Sequence, residues 1–181
     1  MIQNAAKAAG VPPAIALQVA RQESSLNPSA MGRKGELGLF QLMPSTAAAL
    51  GVTDPLDPVQ NAQGGVAYLS QLYQQFGSWP AALAAYNWGP QNVANAMAAN
   101  GANWLAFAPG ATQSYVAGAM SAAGPGVAPA GPGVMPAAVE ASIYTDAPVA
   151  LAPPGGGSNL FLLALLGLGV YMLGSLVFGE A

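Results

Sequence analysis

The chain has 181 residues, of which 53% are hydrophobic and only 6% charged, with a formal net charge of −3. Its cations are Lys7, Arg21, Arg33 and Lys34, so nothing beyond position 34 could follow a phosphate backbone, and direct nucleic-acid binding is not expected. Cysteine and histidine are both absent, which excludes disulfides, thiol nucleophiles, histidine triads and zinc sites of the usual kind. Catalysis is left to carboxylates and hydroxyls, with neither metal nor cofactor expected.

In chain order, Ile2 to Ala9 reads as a short helix stopped by Gly10, with no basic-then-apolar secretion pattern legible before it. Pro12-Pro13 suits the first turn of a second helix, predicted to run to about Ser24. Ile15 and Val19 lie on one stripe of it, with Gln22 and Glu23 one turn on. Glu23 is thus expected at the helix C-terminus, at the edge of an apolar core, where the helix dipole favours a protonated carboxyl. Asn27 to Gly38 reads as a loop. Ser45 is predicted to cap a short helix through Leu50, ended by Gly51. Asp57-Pro58 opens a longer helix to about Phe76, with Val59, Val66, Leu69, Leu72, Tyr73 and Phe76 as its apolar stripe. Further helices are predicted from Ser78 and Pro80 to about Asn87, from Gln91 to Ala98 and from Thr112 to Ala122. Strand signals are weak, so residues 1–123 are expected to form a mainly α domain.

From Gly124 the composition turns to Pro, Gly and Ala, and residues 124–158 read as an extended linker, with material for a turn or two of helix at Ala137 to Ile143. Leu160 to Phe178 is apolar and uncharged. At ~1.5 Å per residue it would measure ~28 Å, against ~30 Å for a bilayer core. A transmembrane helix over 159–179 is therefore expected, its contact with the membrane running through 160–178, since no second domain is at hand to bury it. Gly167 and Gly174 would allow close packing and self-association, although glycine is in any case common in membrane helices. No Lys or Arg flanks the run to orient it.

Four motifs carry a resemblance. Glu23-Ser24 is followed by Gly38-Leu39-Phe40-Gln41 with Met43-Pro44, then by Asp57-Pro58-Val59-Gln60-Asn61 with Gly65 and Tyr68-Leu69, and then by Tyr86-Asn87-Trp88-Gly89-Pro90. In order and spacing they resemble the soluble lytic transglycosylase (SLT, goose-lysozyme-like) family, and Thr112 to Val116 resembles its closing Thr-x-x-Tyr-Val. The resemblance covers about residues 3–120 and implies a lysozyme-like α fold. It also implies cleavage of the β-1,4 bond between N-acetylmuramic acid and N-acetylglucosamine in peptidoglycan, leaving a 1,6-anhydro end. Glu23 matches the single catalytic acid, which would act first as acid and then as base, with its pKa raised from ~4.3 towards ~6. Gln41, Met43, Tyr86 and Asn87 match positions that line the glycan cleft or hold the acid. Gln41 and Asn87 would bond sugar amides, Tyr86 the glutamate or an acetamido group, and Ser24 would mainly support the helix end. Core packing is the alternative for Met43 and Tyr86.

The chain departs from the pattern at Gly32, often a serine, at Glu36, usually alanine, at Phe40, usually methionine, and at Ala111, in some members an acid. Glu36 is expected to be a solvated loop charge beside Arg33 and Lys34, the alternative being a second carboxylate that would permit hydrolysis. The expected function is a membrane-anchored lyase carried by a phage virion and inserted into the host envelope, because the substrate lies outside the cytoplasmic membrane and no signal is legible. The alternative locations are the bacterial inner membrane or periplasm. The alternative function is a structural conduit component whose domain only binds glycan. Partners expected besides glycan strands are the membrane, further copies of the chain, and other virion or envelope proteins.

Overall fold

The computed structural model describes residues 1–125 and 127 of the protein. Its helices are α1 (Ile2–Ala8), α2 (Pro13–Ser24), α3 (Pro44–Ala49), α4 (Pro58–Phe76), α5 (Trp79–Trp88), α6 (Pro90–Asn100) and α7 (Gly110–Ala123), with a 3-10 helix at Gly101–Phe107 between the last two. No strand occurs among the described residues; the isolated bridges Met31–Leu37 and Leu37–Leu42 draw the loop after α2 together. The expected linker and apolar tail lie outside the described residues, apart from Gly124, Pro125 and Val127. Among the described residues, no helix is long and apolar enough to cross a membrane.

The start signals act as local chemistry predicts. Proline, which has no N–H to leave unpaired, stands in the first turn of α2, α3, α4, α5 and α6. Asp57 caps α4, accepting from the N–H groups of Val59 (3.0 Å) and Gln60 (2.7 Å). The expected cap at Ser45 is corrected: Met43 is the N-cap residue of α3 and contributes no side-chain cap bond, while Pro44 opens the helix and places Ser45 inside it. Val59 is also corrected, being 48% exposed. It sits in the first turn of α4, before the buried stripe that starts at Asn61 and Ala62. The 3-10 helix was not anticipated, because a seven-residue 3-10 segment carries no 3.6-residue amphipathic period to read.

Helix α5 is the centre of the core. From Ala81 to Asn87 every residue is buried, and the helix packs against α4, α6 and α7. An apolar face all round requires such burial, and its alanines let the neighbouring helices approach closely. Helix α2 lies between α1 and α7, and Ile15, Ala16, Val19 and Ala20 are fully buried along it. This anchors its last turn, which carries Glu23, at the rim of the core.

The loop between α2 and α3 is fixed by one buried side chain. Asn61 of α4 accepts from the Phe40 N–H at 2.8 Å and donates to the carbonyls of Leu37 (2.9 Å) and Pro55 (2.8 Å). Gly38, at φ 76°, passes so close that a Cβ would strike Asn61 and the Pro55 carbonyl. The Phe40 ring then seats against the bare face of Gly65 on α4 and is itself fully buried.

Candidate active site

Glu23 stands in the last turn of α2, which closes on Ser25 in the left-handed conformation (φ 55°). The residue keeps a partly exposed edge while protein surrounds most of its carboxyl group. Its pKa is pushed up from 4.5 to about 7: burial is the main cause, the Glu36 charge adds to it, and the Tyr115 hydrogen bond pulls the other way. That Tyr115 hydroxyl, from α7, donates to Oε1 of Glu23 at 2.7 Å. The carboxyl can therefore hold a proton near neutrality and still receive a directed hydrogen bond when it loses it. Such a group suits one residue serving as acid and then as base.

Ser24 supports the helix end as expected: its hydroxyl is shared between the carbonyls of Ala20 (3.1 Å) and Leu39 (2.8 Å), tying α2 to the loop. Gln41, at φ 46°, is the bend of that loop. Its Nε2 donates to the carbonyls of Gly38 (2.8 Å) and Ala30 (3.2 Å), which fixes the amide and turns Oε1 towards Gly32. Met43 is half-buried next to it at the start of α3.

Two expectations change. Tyr86 is fully buried and its hydroxyl donates at 2.7 Å to the Phe40 carbonyl, not to Glu23; it stacks the loop onto the core beside Tyr68. The tyrosine that reaches Glu23 is Tyr115, which the closing Thr112-x-x-Tyr115-Val116 motif had already marked without assigning it a role. Asn87 is buried, and its Oδ1 accepts from the Thr112 hydroxyl at 2.9 Å, which leaves its amide N–H groups and one acceptor site of Oδ1 for a ligand. Glu36 is not a solvated loop charge: only 9% of it is exposed, and its Oε2 accepts from the Lys34 N–H at 2.9 Å. Its charge is felt at Glu23. No cluster of potential metal ligands occurs among the described residues.

A buried carboxylic acid at the end of α2, clamped by a tyrosine from α7, occurs here without any thiol or imidazole. The transglycosylase SLT domain model matches residues 1–104. The chain belongs to the SLT transglycosylase domain family. It is 35% identical over 158 residues to a transglycosylase of Enterobacteria phage PRD1, covering 82% of this chain and 56% of that protein. Over 94 residues it is 40% identical to the soluble lytic murein transglycosylase of Escherichia coli (strain K12), covering 46% of this chain and 15% of that protein. The fold is similar to part of the lytic transglycosylase Slt of Pseudomonas aeruginosa, solved as an inactive mutant: TM-score 0.60 and 29% identity, over 67% of this chain and 22% of that one. The chain thus spans little more than half the length of one curated relative and a small part of the other. The SLT match ends before α7, so the tyrosine that meets the catalytic candidate comes from outside the matched segment.

The hydrogen bond from Tyr115 favours ionised Glu23, so Tyr115→Phe should raise the Glu23 pKa further. The alkaline limb of the pH–rate profile should then move to higher pH, with kcat about tenfold lower for loss of the group that positions the base. A limb that moves to lower pH contradicts this.

The raised pKa also bears on stability. Folded Glu23 binds its proton more tightly than the unfolded chain does, so its contribution is fully present below pH 4.5 and is lost as pH rises towards 7. Relative to Glu23→Gln, which cannot ionise, the wild type should therefore weaken across that window, by a ceiling of about 3 kcal/mol. Urea unfolding of both proteins at pH 4 and pH 8 checks this: equal differences at the two pH values would contradict it.

Proposed function

We propose that this domain is a peptidoglycan lytic transglycosylase. Glu23 protonates the oxygen leaving from the β-1,4 bond between N-acetylmuramic acid and N-acetylglucosamine, and that bond breaks. The substrate's own N-acetyl group stabilises the resulting cation. Glu23, now ionised and held by Tyr115, then takes the proton from the muramic acid 6-hydroxyl as its oxygen closes on C1. The product is a 1,6-anhydro ring, no water is consumed, and Glu23 ends protonated as it began. The observation that carries this reading is the position of Glu23: a carboxyl raised to about 7 mainly by burial and bonded by Tyr115. Membership of the SLT family and the names of the relatives support the same chemistry.

Gln41 and Asn87 are assigned to the glycan amides, Met43 to the cleft lip, and Ser24 and Tyr86 to holding the loop that carries Gln41. The apolar run 160–178 is assigned to a membrane span reached through the linker. Delivery in a phage particle, for local penetration of the cell wall during genome delivery, is supported by the phage relative. That likeness covers 82% of the chain, more than residues 1–127 can account for, so it continues past the described domain into the linker. Incubation of peptidoglycan sacculi with the full chain and with Glu23→Gln tests the activity, and release of soluble anhydromuropeptides by the wild type alone is expected. Mass spectrometry of purified virions tests the delivery, and absence of the chain from them would contradict it.

A further inference from the structure

Two successive residues of α2 grip Tyr115 at both of its ends. Glu23 accepts from its hydroxyl at 2.7 Å, and Gln22 donates through Nε2 to its carbonyl at 3.2 Å. That carbonyl already belongs to the hydrogen-bond ladder of α7, so the bond from Gln22 is additional to what the helix needs. The amide is kept at a cost, because Oε1 of Gln22 is buried with no hydrogen-bond partner among the described residues. Gly118 makes room for it. It follows Tyr115 by three residues, on the same side of α7, and a Cβ built there would lie 2.8 Å from Gln22 Nε2. Among the described residues, Gln22 is the only one outside α7 that such a Cβ would meet within 4 Å. A glycine inside a helix is less stable than an alanine, and this one has no positive φ to require it. Its bare face is a seat for the Gln22 amide.

We propose that Gln22, seated on Gly118, is a positioning residue of the acid–base pair: it locks α7 to the last turn of α2, so that the Tyr115 hydroxyl stays on Glu23 once that carboxyl has given up its proton. This rests on the glycan-cleaving reading above and adds to it how the ionised half of the cycle is held. Apolar packing between α2 and α7 sets their separation, but it is non-directional and resists sliding weakly. A hydrogen bond to a backbone carbonyl fixes the slide. The Tyr115 hydroxyl stands at the far end of its side chain, where a small shift of α7 would spoil the length and angle of its bond to Glu23. Besides Tyr115, the titratable groups that bear on Glu23 are Tyr86 of α5 and Glu36 of the loop after α2. Helix α1, also packed on α2, brings only the exposed Lys7.

The test follows the titration of Glu23 in the full chain by NMR of carbon-13-labelled glutamate carboxyls, with Glu23→Gln identifying the signal. Gln22→Met keeps the length of the side chain and loses the amide; Gly118→Ala keeps the amide and fills its seat. Neither changes a charge. Each should raise the Glu23 titration midpoint by about half a pH unit, roughly a threefold gain in proton affinity and part of the rise caused by Tyr115→Phe. In the Tyr115→Phe background neither should raise it further, because the hydroxyl they position is gone. Gly118→Ala should do this without lowering the urea midpoint of unfolding, since alanine favours the helix. A merely structural contact would do the reverse, lowering stability and leaving the titration unmoved. An unmoved midpoint in either single variant overturns the proposal. So does a rise of the same size in the Tyr115→Phe background, which would show that Gln22 acts on Glu23 by another route. The titration needs no substrate, so failure of the wild type to cleave sacculi would overturn the lyase reading and leave this result readable.

Discussion

Glu23→Gln should fold, bind glycan and release no soluble muropeptides, with the rate falling by about 10²–10⁴. The neutral amide keeps the size of the acid but has no proton to give to the leaving oxygen and no charge with which to retrieve one. The chain offers no substitute. It has no histidine or cysteine, and Tyr115 and Tyr86 hold their protons too tightly, since burial pushes both hydroxyls well above 10. Glu36 is bound to the Lys34 N–H and sits over Gly32. The variant should also be the more stable protein at pH 8, because it removes a carboxyl that burial disfavours. A loss of activity accompanied by a gain of stability separates a catalytic role from a structural one. If Glu23→Gln retained activity within tenfold of the wild type, the assignment would be wrong.

Asn61→Leu should strongly destabilise the described domain. Asn61 has no exposed surface and serves three backbone groups at once, the Phe40 N–H and the carbonyls of Leu37 and Pro55. Leucine keeps the branched shape, with somewhat more bulk, but leaves all three without that partner in the interior. Each such group costs ~1–3 kcal/mol, and with partial rehydration the total should be about 4 kcal/mol. The damage should reach the site, because the freed segment carries Leu37 to Gln41 and packs against Ser24 through the Leu39 carbonyl. Denaturant unfolding measures the first effect and turnover of sacculi the second. A loss below 1 kcal/mol would show that the loop is held by other contacts.

Helix starts were legible because they depend on neighbours in sequence: the prolines at the first turns and the Asp57 cap all act within one turn of themselves. The position of Glu23 at the edge of the core followed from the stripe of Ile15 and Val19, which the structure buries completely. Its raised pKa was expected from burial and from the helix dipole, and burial is the leading cause. What could not be read is what depends on residues far apart in the chain. The Tyr115 hydroxyl meets a carboxyl 92 residues away, and Tyr86 turns to the Phe40 carbonyl 46 residues away and not to the acid. Glu36 shows the same limit. Beside Arg33 and Lys34 in sequence it reads as a surface charge, and only the folded loop shows that its side chain points in, over Gly32. The absence of a side chain at position 32 was the available signal.

The account stands on Glu23 acting without water as both acid and base. Mass analysis of muropeptides released from sacculi in water enriched in oxygen-18 tests that most directly. The account predicts 1,6-anhydromuramic ends that carry no heavy oxygen and that disappear with Glu23→Gln. Reducing ends labelled with oxygen-18 would contradict it, showing that water, and not the sugar's own 6-hydroxyl, completes the reaction.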